Sequence, residues 1–319
     1  MKIGLALGSG SARGLTHIGV LKALEEKNIK IDYISGSSIG ALIGGAYAMG
    51  MPVDEIEKIA LQTDWKLMAK LMSPTFSLSA ILNDKYLSEF LNTYFENKTF
   101  DDLKIPFSTI ATDIETGEMV VINSGSLLTA IRASISIPII LSPVVYKNHK
   151  LVDGGLVNPT PVDVVKEQNV DKIIAVNLIN IAPIKPVSNG YIEAKDSKDD
   201  LSKLSLNEKL EYFIKHPIDF FSDKTVTKAI DNPHFGKIIY QMLLIVQVQM
   251  AKLTMRIVKP DIVISPDTKE YYLFDFHKGK ELIEIGYQTA KAKLNEYNLE
   301  VHKNRNLDML GKDKDKNGK

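Results

Sequence analysis

Short apolar runs alternate with segments of helical periodicity along the first part of the chain. Residues 2–7 form an apolar run that ends next to glycine, and residues 31–34 form a second run, so both predict buried strands. Residues 15–26 place their apolar side chains on one helical stripe. Residues 39–49 are apolar on every side, which predicts a helix buried in the middle of the fold. This strand–helix–strand–helix order favours a parallel sheet with right-handed crossovers.

The same alternation continues downstream and predicts an α/β fold. Residues 107–113 and 118–123 indicate two strands that are joined by a turn at residues 115–117. Residues 128–135 indicate a helix, which ends before Pro138. The other expected elements are helices at 161–168, 238–258 and 274–297 and strands at 172–177 and 261–265.

The chain is expected to form one main domain over residues 1–300. Residues 182–233 depart from the alternation, because their first half is polar and charged and their second half is amphipathic, so we interpret them as an insertion. Residues 301–319 are rich in Lys, Asp and Asn and are predicted to be a disordered, charged tail.

Composition excludes several classes of function. Lys plus Arg and Asp plus Glu number 39 each, so the net charge is zero and nothing indicates nucleic-acid binding. The absence of cysteine excludes disulfides and thiolate chemistry and fits a reducing cytoplasm. No acidic or histidine grouping has metal-ligand spacing, so we expect neither a metal nor a cofactor. No signal peptide or membrane-spanning run is evident, and we expect a cytoplasmic protein with peripheral membrane contact at most.

Residues 36–40 carry a candidate nucleophile. Gly36-Ser37-Ser38-Ile39-Gly40 matches G-x-S-x-G, with Ser38 at its centre between a predicted strand and a predicted buried helix. Small residues at both ends allow the tight, strained turn that exposes a nucleophilic serine, and the helix dipole points at its oxygen. The competing interpretation is an ordinary glycine-rich turn with a capping serine.

Residues 8–14, here called the glycine-rich loop, are a candidate oxyanion site. Their sequence is Gly-Ser-Gly-Ser-Ala-Arg-Gly, and consecutive amides before a helix can bind an anion such as the oxygen of a tetrahedral intermediate. A dinucleotide-binding loop is the alternative. It fits less well, because the third glycine is misplaced and the expected ribose-binding acid is absent at the right distance.

The best candidate for the base is Asp153, which lies in Leu151-Val152-Asp153-Gly154-Gly155. A free aspartate has a pKa of about 3.9, so burial would have to raise the pKa for efficient proton transfer near neutral pH. A plain Asp-Gly-Gly turn remains an alternative, and so does a histidine base such as His149 or His17. The histidines are His17, His149, His216, His234, His277 and His302.

Together these segments resemble the patatin-like phospholipases, and most of all the bacterial branch related to the catalytic domain of neuropathy target esterase. The matching stretches are residues 7–21, 36–40, 131–143 and 151–161. The resemblance covers about residues 1–178 and continues more weakly through residues 260–278.

The resemblance implies a three-layer α/β/α fold with a mainly parallel sheet, and hydrolysis of fatty acyl esters of phospholipids or lysophospholipids. It implies a Ser38–Asp153 dyad and oxyanion donors at Ser9, Gly10 and Ser11. Where many members have three successive glycines, this chain has Ser-Gly-Ser, which leaves the register of the donors open. A catalytically silent lipid-binding or regulatory protein on the same fold is the alternative. The positions that would support the motifs are Gly8, Arg13, Gly14, Gly36, Gly40, Gly154 and Gly155.

Further segments are candidates for substrate access or support of the site. Apolar side chains within residues 65–76 could line an acyl channel or a lid, although core packing is the simpler interpretation. Residues 206–221 could form an interfacial or docking helix. Arg132 and Ser134 are expected to support the site.

Overall fold

The expected alternation of strands and helices is present in the computed structural model of the chain, which confirms the α/β fold. The structure describes residues 1–62, 84–138, 140–179 and 235–316, including their side chains except at residues 84, 235–240 and 298–316. The strands are β1 (Ile3–Leu7), β2 (Tyr33–Ser37), β3 (Phe107–Asp113), β4 (Met119–Ile122), β5 (Val144–Tyr146), β6 (His149–Asp153), β7 (Lys172–Val176) and β8 (Ile262–Ile264).

Helices connect these strands over the described ranges. The α-helices are α1 (Thr16–Glu26), α2 (Ile39–Ala48), α3 (Val53–Gln62), α4 (Asp84–Phe95), α5 (Leu127–Ser134), α6 (Val162–Lys166), α7 (Phe235–Val258) and α8 (Gly279–Lys316). Short 3-10 helices occur at Ser11–Leu15, Phe100–Asp102, Gly154–Leu156 and Asp275–Lys278. Most predicted elements are present with ends shifted by a few residues, whereas α3, α4 and the β5–β6 hairpin were not predicted.

The core of the sheet is parallel. β3, β2, β1, β7 and β8 lie side by side in that order, and each pairs in parallel with its neighbour. β4 pairs with β3 in antiparallel orientation after a turn at Gly117, whose amide donates to the carbonyl of Asp113. The carboxyl ends of the parallel strands therefore share one edge, where ligand sites of open α/β sheets commonly lie.

Alternate side chains of β1 pack on opposite faces of the sheet. Leu5 and Leu7 belong to the larger apolar cluster, which includes side chains of α1, α2 and α8. Ala6 belongs to a second cluster together with Val165 of α6, and Met255 of α7 packs against that cluster. Helices thus cover both faces of the sheet, which confirms the predicted α/β/α layering.

β6 continues the position of β2 along the edge of β3. Residues 109–112 of β3 pair with β4 on one edge. On the other edge, residues 107–110 pair with β2 and residues 111–113 pair with β6, which runs in the opposite direction. Because a strand has only two edges, β2 and β6 lie end to end, and their carboxyl ends, Ser37 and Asp153, meet.

Several predictions concern other parts of the chain. The apolar segment within residues 65–76 and the insertion at residues 182–233, including residues 206–221, lie outside the described residues and stay predictions. The backbone of residues 301–316 is helical, which differs from the disordered tail predicted for residues 301–319. No proline interrupts residues 279–316, and their Lys, Leu and Glu content is compatible with a helix. The predicted domain boundaries stay predictions.

Candidate active site

Ser38 stands at a strained turn between β2 and α2. Its φ and ψ are 56° and −125°, a conformation that an L-residue adopts at a cost of about 1–3 kcal/mol and that is concentrated at functional sites. Ser38 precedes the first residue of α2, so the positive end of the helix dipole faces its side chain. The strand–turn–helix context that G-x-S-x-G requires is therefore present.

Two glycines permit this turn. A Cβ atom at Gly40 would lie 2.1 Å from the carbonyl oxygen of Leu7, at the end of the neighbouring strand. A Cβ atom at Gly36 would lie 2.4 Å from the carbonyl oxygen of Gly40. Both contacts are with backbone atoms that cannot move aside, so glycine is required at the two ends of the motif.

Asp153 meets Ser38 directly. The hydroxyl of Ser38 donates a hydrogen bond to Oδ2 of Asp153 at 2.5 Å, across 115 positions of sequence. The second carboxylate oxygen, Oδ1, accepts from the amide of Gly155 at 2.7 Å. Ser38 and Asp153 are only 5% and 2% exposed, so the contact is almost fully removed from water. The structure thus brings the two predicted dyad residues into hydrogen-bond contact.

Burial changes the acidity of this carboxyl. Loss of hydration raises the pKa of Asp153 from 3.8 to about 6, although hydrogen bonds from Ser38 and Gly155 favour the ionised form and oppose the rise. A carboxylate with a pKa near 6 is a better proton acceptor than an exposed aspartate and is still mostly ionised at neutral pH. This is the change in pKa that the sequence argument required.

Ser134 holds the backbone of the nucleophile. Its hydroxyl accepts a hydrogen bond from the amide of Ser38 at 3.0 Å and donates to the carbonyl of Ile110 at 2.6 Å. Ser134 is fully buried at the end of α5. It therefore ties the strained turn to β3, in agreement with the supporting role expected from the sequence.

The backbone of Asp153 is also fixed by hydrogen bonds, which come from β3 and from the turn that follows α5. Its amide donates to the carbonyl of Ser136 at 2.8 Å, and its carbonyl accepts from Oγ1 of Thr112 at 2.8 Å. Arg132 donates to the hydroxyl of Ser136 at 2.6 Å, which places Arg132 behind the site. Sequence reasoning missed Thr112 and Ser136, since nothing in their local sequence indicates these long-range contacts.

Glycines at residues 154 and 155 allow the aspartate to approach. A Cβ atom at Gly154 would lie 2.1 Å from the carbonyl oxygen of Ile110. A Cβ atom at Gly155 would lie 2.6 Å from the hydroxyl oxygen of Ser9 and 2.8 Å from Oδ1 of Asp153. Larger residues here would displace β6 from β3 or crowd the carboxylate.

The glycine-rich loop has two amides without an acceptor among the described residues, those of Gly10 and Ser11. The amide of Ser9, a predicted oxyanion donor, instead donates a hydrogen bond to the carbonyl of Pro159. This removes Ser9 from the candidate donors and leaves Gly10 and Ser11. The occupied pairs are Gly8 N to Val176 O (3.0 Å), Ser9 N to Pro159 O (2.8 Å), Ala12 N to Leu273 O (2.9 Å) and Arg13 N to Gly10 O (3.2 Å).

The loop is anchored by the segment that precedes α8. The hydroxyl of Ser11 donates to the carbonyl of Leu273 at 2.6 Å, and Nε of Arg13 donates to the carbonyl of Tyr271 at 2.9 Å. Ser11 has a φ of 51°, a left-handed conformation in which its hydroxyl bond offsets part of the strain. Arg13 therefore fixes the loop and does not reach the Ser38–Asp153 contact through any described hydrogen bond.

The glycine-rich loop also packs against α2. A Cβ atom at Gly14 would lie 2.2 Å from the side chain of Ile39, so glycine lets the loop approach the start of α2. The loop leads into the 3-10 helix Ser11–Leu15 and does not open an α-helix directly, which differs from the dinucleotide-binding turn considered above. Ser11 and Ser38 line the same cavity, so the candidate donors and the candidate nucleophile face a common space.

The two histidines considered as bases are engaged elsewhere. Nε2 of His17 lies 2.7 Å from the carbonyl oxygen of Gly8, and burial lowers the pKa of His17 to about 4. The neutral ring of His17 can donate a hydrogen bond through Nε2 to the carbonyl of Gly8, which helps to fix the glycine-rich loop. His149 contacts Asp113 through Nδ1 at 2.6 Å. Within the described residues, neither ring hydrogen-bonds to Ser38.

A cavity of about 220 Å³ opens beside Ser38. Its lining is almost entirely apolar and comes from α1 to α4 and from the segments around residues 135–141 and 274–276. Ser11, Ser38 and Tyr94 contribute its polar groups. Such a cavity suits a hydrocarbon chain whose reactive end lies at Ser38. Representative lining residues are Leu42, Phe90, Ile137, Leu141 and Phe274.

Neither a metal-binding cluster nor a membrane-spanning helix is found in the described ranges. Among these residues, no group of three or more His, Asp or Glu side chains is arranged to hold a metal ion. Within the same ranges, no helix combines the length and the apolar character needed to cross a membrane.

Comparison with known proteins identifies the family. The family model described as Patatin-like phospholipase matches residues 5–166, which is just over half of the 319 residues. An "Uncharacterized NTE family protein" of Mycobacterium tuberculosis is 37% identical over 177 residues, which cover 56% of this chain and 49% of that protein. The "Lysophospholipase NTE1" of Kluyveromyces lactis is 30% identical over 295 residues, which cover 89% of this chain and 18% of that protein.

Other relatives extend the comparison. "Patatin-like phospholipase domain-containing protein 6" of Homo sapiens is 33% identical over 183 residues, covering 55% of this chain and 13% of that protein. Among solved structures, VipD from Legionella pneumophila aligns over 93% of this chain and 67% of that chain, with a TM-score of 0.43 and 12% identity. The matches span about half the length of the mycobacterial relative and less than a fifth of the two longer ones.

The extent of the family match decides the assignment. The match runs from β1 to the end of α6 and so includes the glycine-rich loop, Ser38 and the Asp-Gly-Gly turn. The chain belongs to the patatin-like phospholipase family.

Proposed function

We propose that the protein is a serine acyl hydrolase that cleaves fatty acyl esters of phospholipids or lysophospholipids, a carboxylic ester hydrolase of the phospholipase A or lysophospholipase type. The observation that carries the proposal is the buried 2.5 Å contact between the hydroxyl of Ser38 and the carboxylate of Asp153. Family membership supports the lipid hydrolase class, and the apolar cavity beside Ser38 supports a fatty acyl substrate.

In the first half of the reaction, Ser38 is acylated. Its oxygen attacks the ester carbonyl carbon while Oδ2 of Asp153 accepts the hydroxyl proton. The carbonyl oxygen becomes an oxyanion, which the amides of Gly10 and Ser11 can stabilise, since neither amide has an acceptor among the described residues. Each such donor contributes about 3 kcal/mol in other hydrolases. Collapse of the intermediate breaks the bond to the leaving alcohol, which takes the proton back from Asp153.

In the second half, water releases the fatty acid. Asp153, again ionised, accepts a proton from a water molecule that attacks the acyl carbon of the ester on Ser38. A second tetrahedral intermediate uses the same amides, and its collapse restores the hydroxyl of Ser38 with the proton held by Asp153. The fatty acid then leaves through the apolar cavity.

A lipid panel tests the function. We expect the purified protein to release fatty acid from phospholipids or lysophospholipids with long acyl chains, and we expect Ser38→Ala to release none above background. Mass spectrometry of the released fatty acids gives the acyl position as well as the rate. If the protein binds fatty acid or lipid in its cavity and releases nothing from any member of the panel, the alternative of a silent lipid-binding protein replaces the proposal.

The pH profile tests the role of Asp153. Burial raises the pKa of Asp153 to about 6, and only the ionised carboxylate can accept the proton of Ser38. We therefore expect kcat/KM to fall about tenfold per pH unit below about pH 6 and to level off above about pH 7. This acidic limb of the pH profile should lie at the same pH for esters with different leaving groups. A limb near the pKa of a free aspartate would contradict the buried base.

A further inference from the structure

Helix α7 carries an exposed apolar stripe. Met242, Val246, Leu253 and Ile257 are 60%, 47%, 50% and 68% exposed. Their spacings of four, seven and four residues place them on one face of the helix. Single exposed apolar residues are ordinary, but four aligned on one helix face form a patch that indicates a contact surface.

The opposite face of α7 fixes the helix to the fold. Val248 and Ala251 are buried, and Met255 and Val258 pack against the cluster that contains Ala6 of β1. The stripe is therefore exposed on a helix that is packed against the fold, and not on a loosely held segment.

The charge of α7 has one sign. Its 24 residues, Phe235–Val258, contain no Asp or Glu. Lys252 and Arg256 are exposed beside the stripe, and the exposed Lys259 follows the helix. Within the described residues, no carboxylate forms an ion pair with any of these three cations. An apolar stripe flanked by cations alone is typical of helices that lie in the interface of an anionic bilayer.

Helix α7 also passes beside the candidate active site. Nε2 of Gln247 lies 3.0 Å from the position that a Cβ atom at Gly155 would occupy, and Gly155 is two residues beyond Asp153. The same space borders the hydroxyl of Ser9 in the glycine-rich loop. Helix α7 therefore borders the candidate active site with its half-buried side, whereas the exposed stripe faces away from the fold.

We propose that this face of α7 docks the protein on lipid bilayers that carry anionic headgroups. The apolar stripe enters the boundary between headgroups and acyl chains, while Lys252, Arg256 and Lys259 contact the headgroup phosphates and carboxylates. The inference goes beyond the proposed hydrolysis, because docking requires no turnover.

Vesicle binding tests the proposal independently of catalysis. All proteins carry Ser38→Ala, so that the vesicles stay intact whether or not the natural protein is a hydrolase. Co-sedimentation is measured with phosphatidylcholine vesicles and with vesicles that contain phosphatidylglycerol as well. The charge variant is Lys252→Glu/Arg256→Glu, and the stripe variant is Leu253→Ser/Ile257→Ser. The matched control is Lys58→Glu/Lys98→Glu, which changes the net charge equally at exposed positions in α3 and just after α4, two helices that pack on the other face of the sheet from α7.

We expect the parent protein to bind the anionic vesicles and to bind the neutral ones more weakly. Both α7 variants should lose about tenfold or more in affinity, since each nearby cation contributes about 1 kcal/mol and each exposed apolar side chain adds buried area. The control should keep its affinity within about threefold. Because the altered side chains are exposed, circular dichroism should show unchanged unfolding. Parent-like binding in both α7 variants, an equal loss in the control, or no vesicle binding by the parent would overturn the proposal.

Discussion

Replacing Ser38 by alanine is expected to lower kcat/KM for fatty acyl esters by about 10⁴-fold or more, close to the uncatalysed rate. The hydroxyl is the only group on Ser38 that can form the acyl intermediate, and the hydrogen bond that it gives to Asp153 has no substitute in alanine. The protein should fold normally, because the amide of residue 38 keeps its bond to Ser134 and the substitution removes one atom.

Ser37→Ala is the matched control for this change. Ser37 is equally buried, but its hydroxyl faces Ser9 at 3.1 Å and does not contact Asp153. We expect this variant to keep kcat/KM within about tenfold, since the hydrogen bond that it loses lies in the wall of the site. Kinetics with a fluorogenic fatty acyl ester measure both variants. Comparable loss in the two would mean that Ser38 has no special role.

Asp153→Asn is expected to lower kcat/KM by about 10³- to 10⁴-fold and, at the same time, to stabilise the fold. The amide cannot accept the proton of Ser38, although its shape is nearly the same. Burial raises the pKa of Asp153 from 3.8 to about 6, so ionisation of this carboxyl opposes folding. Ionisation of this buried carboxyl lowers the free energy of unfolding by about 3 kcal/mol, and the full loss is reached only above about pH 6.

The effect of Asp153→Asn on the free energy of unfolding is expected to depend on pH. A carboxyl whose pKa is raised in the folded state contributes stability below the pKa of the unfolded chain and loses it as the pH rises through the folded pKa. Asp153→Asn should therefore increase the free energy of unfolding by about 1–3 kcal/mol at about pH 8, and the gain should disappear near about pH 4. Urea unfolding at both pH values measures it.

Asp267→Asn controls for a general effect of removing a carboxylate, since the side chain of Asp267 is 72% exposed. We expect Asp267→Asn to change the free energy of unfolding by no more than about 0.5 kcal/mol and to leave kcat/KM unchanged. Destabilisation by Asp153→Asn at alkaline pH would mean that the surrounding hydrogen bonds favour the carboxylate more than burial disfavours it.

Much of the fold could be predicted because burial and periodicity coincide in its central elements. β3 has the predicted bounds, 107–113, since every residue in it is buried and Pro106 and the turn at Gly117 delimit it. α2 lies within one residue of its predicted end, because its alanine- and glycine-rich sequence is shielded on all sides. Ser38 and Asp153 could be singled out for a different reason, namely that each has glycine neighbours in a motif.

The parts that could not be predicted depend on contacts between distant residues. The β5–β6 hairpin is short and is buried only at residues 151–153, and nothing in its sequence shows that β6 continues along the edge of β3 where β2 ends. Yet this pairing places the carboxylate of Asp153 at the hydroxyl of Ser38. Residue types likewise cannot show that the carbonyl of Pro159 occupies the amide of Ser9, which changes the set of oxyanion donors.

The serines that replace glycines in the loop also have a structural explanation. Each uses its hydroxyl to fix the loop: Ser9 contacts Ser37, and Ser11 donates to the carbonyl of Leu273. The amide of Ser11 stays free of acceptors among the described residues, so a serine at this position is compatible with oxyanion binding. The departure from three glycines therefore does not argue against hydrolysis.

The central claim is that the carboxylate of Asp153 activates the hydroxyl of Ser38. Its most direct test is the rate at which a fluorophosphonate probe labels the folded protein, with the modified residue located by peptide mass spectrometry. We predict one adduct, on Ser38, forming about a thousandfold more slowly in Asp153→Asn. Equal labelling rates in the two proteins, or an adduct on a different residue, would contradict the account.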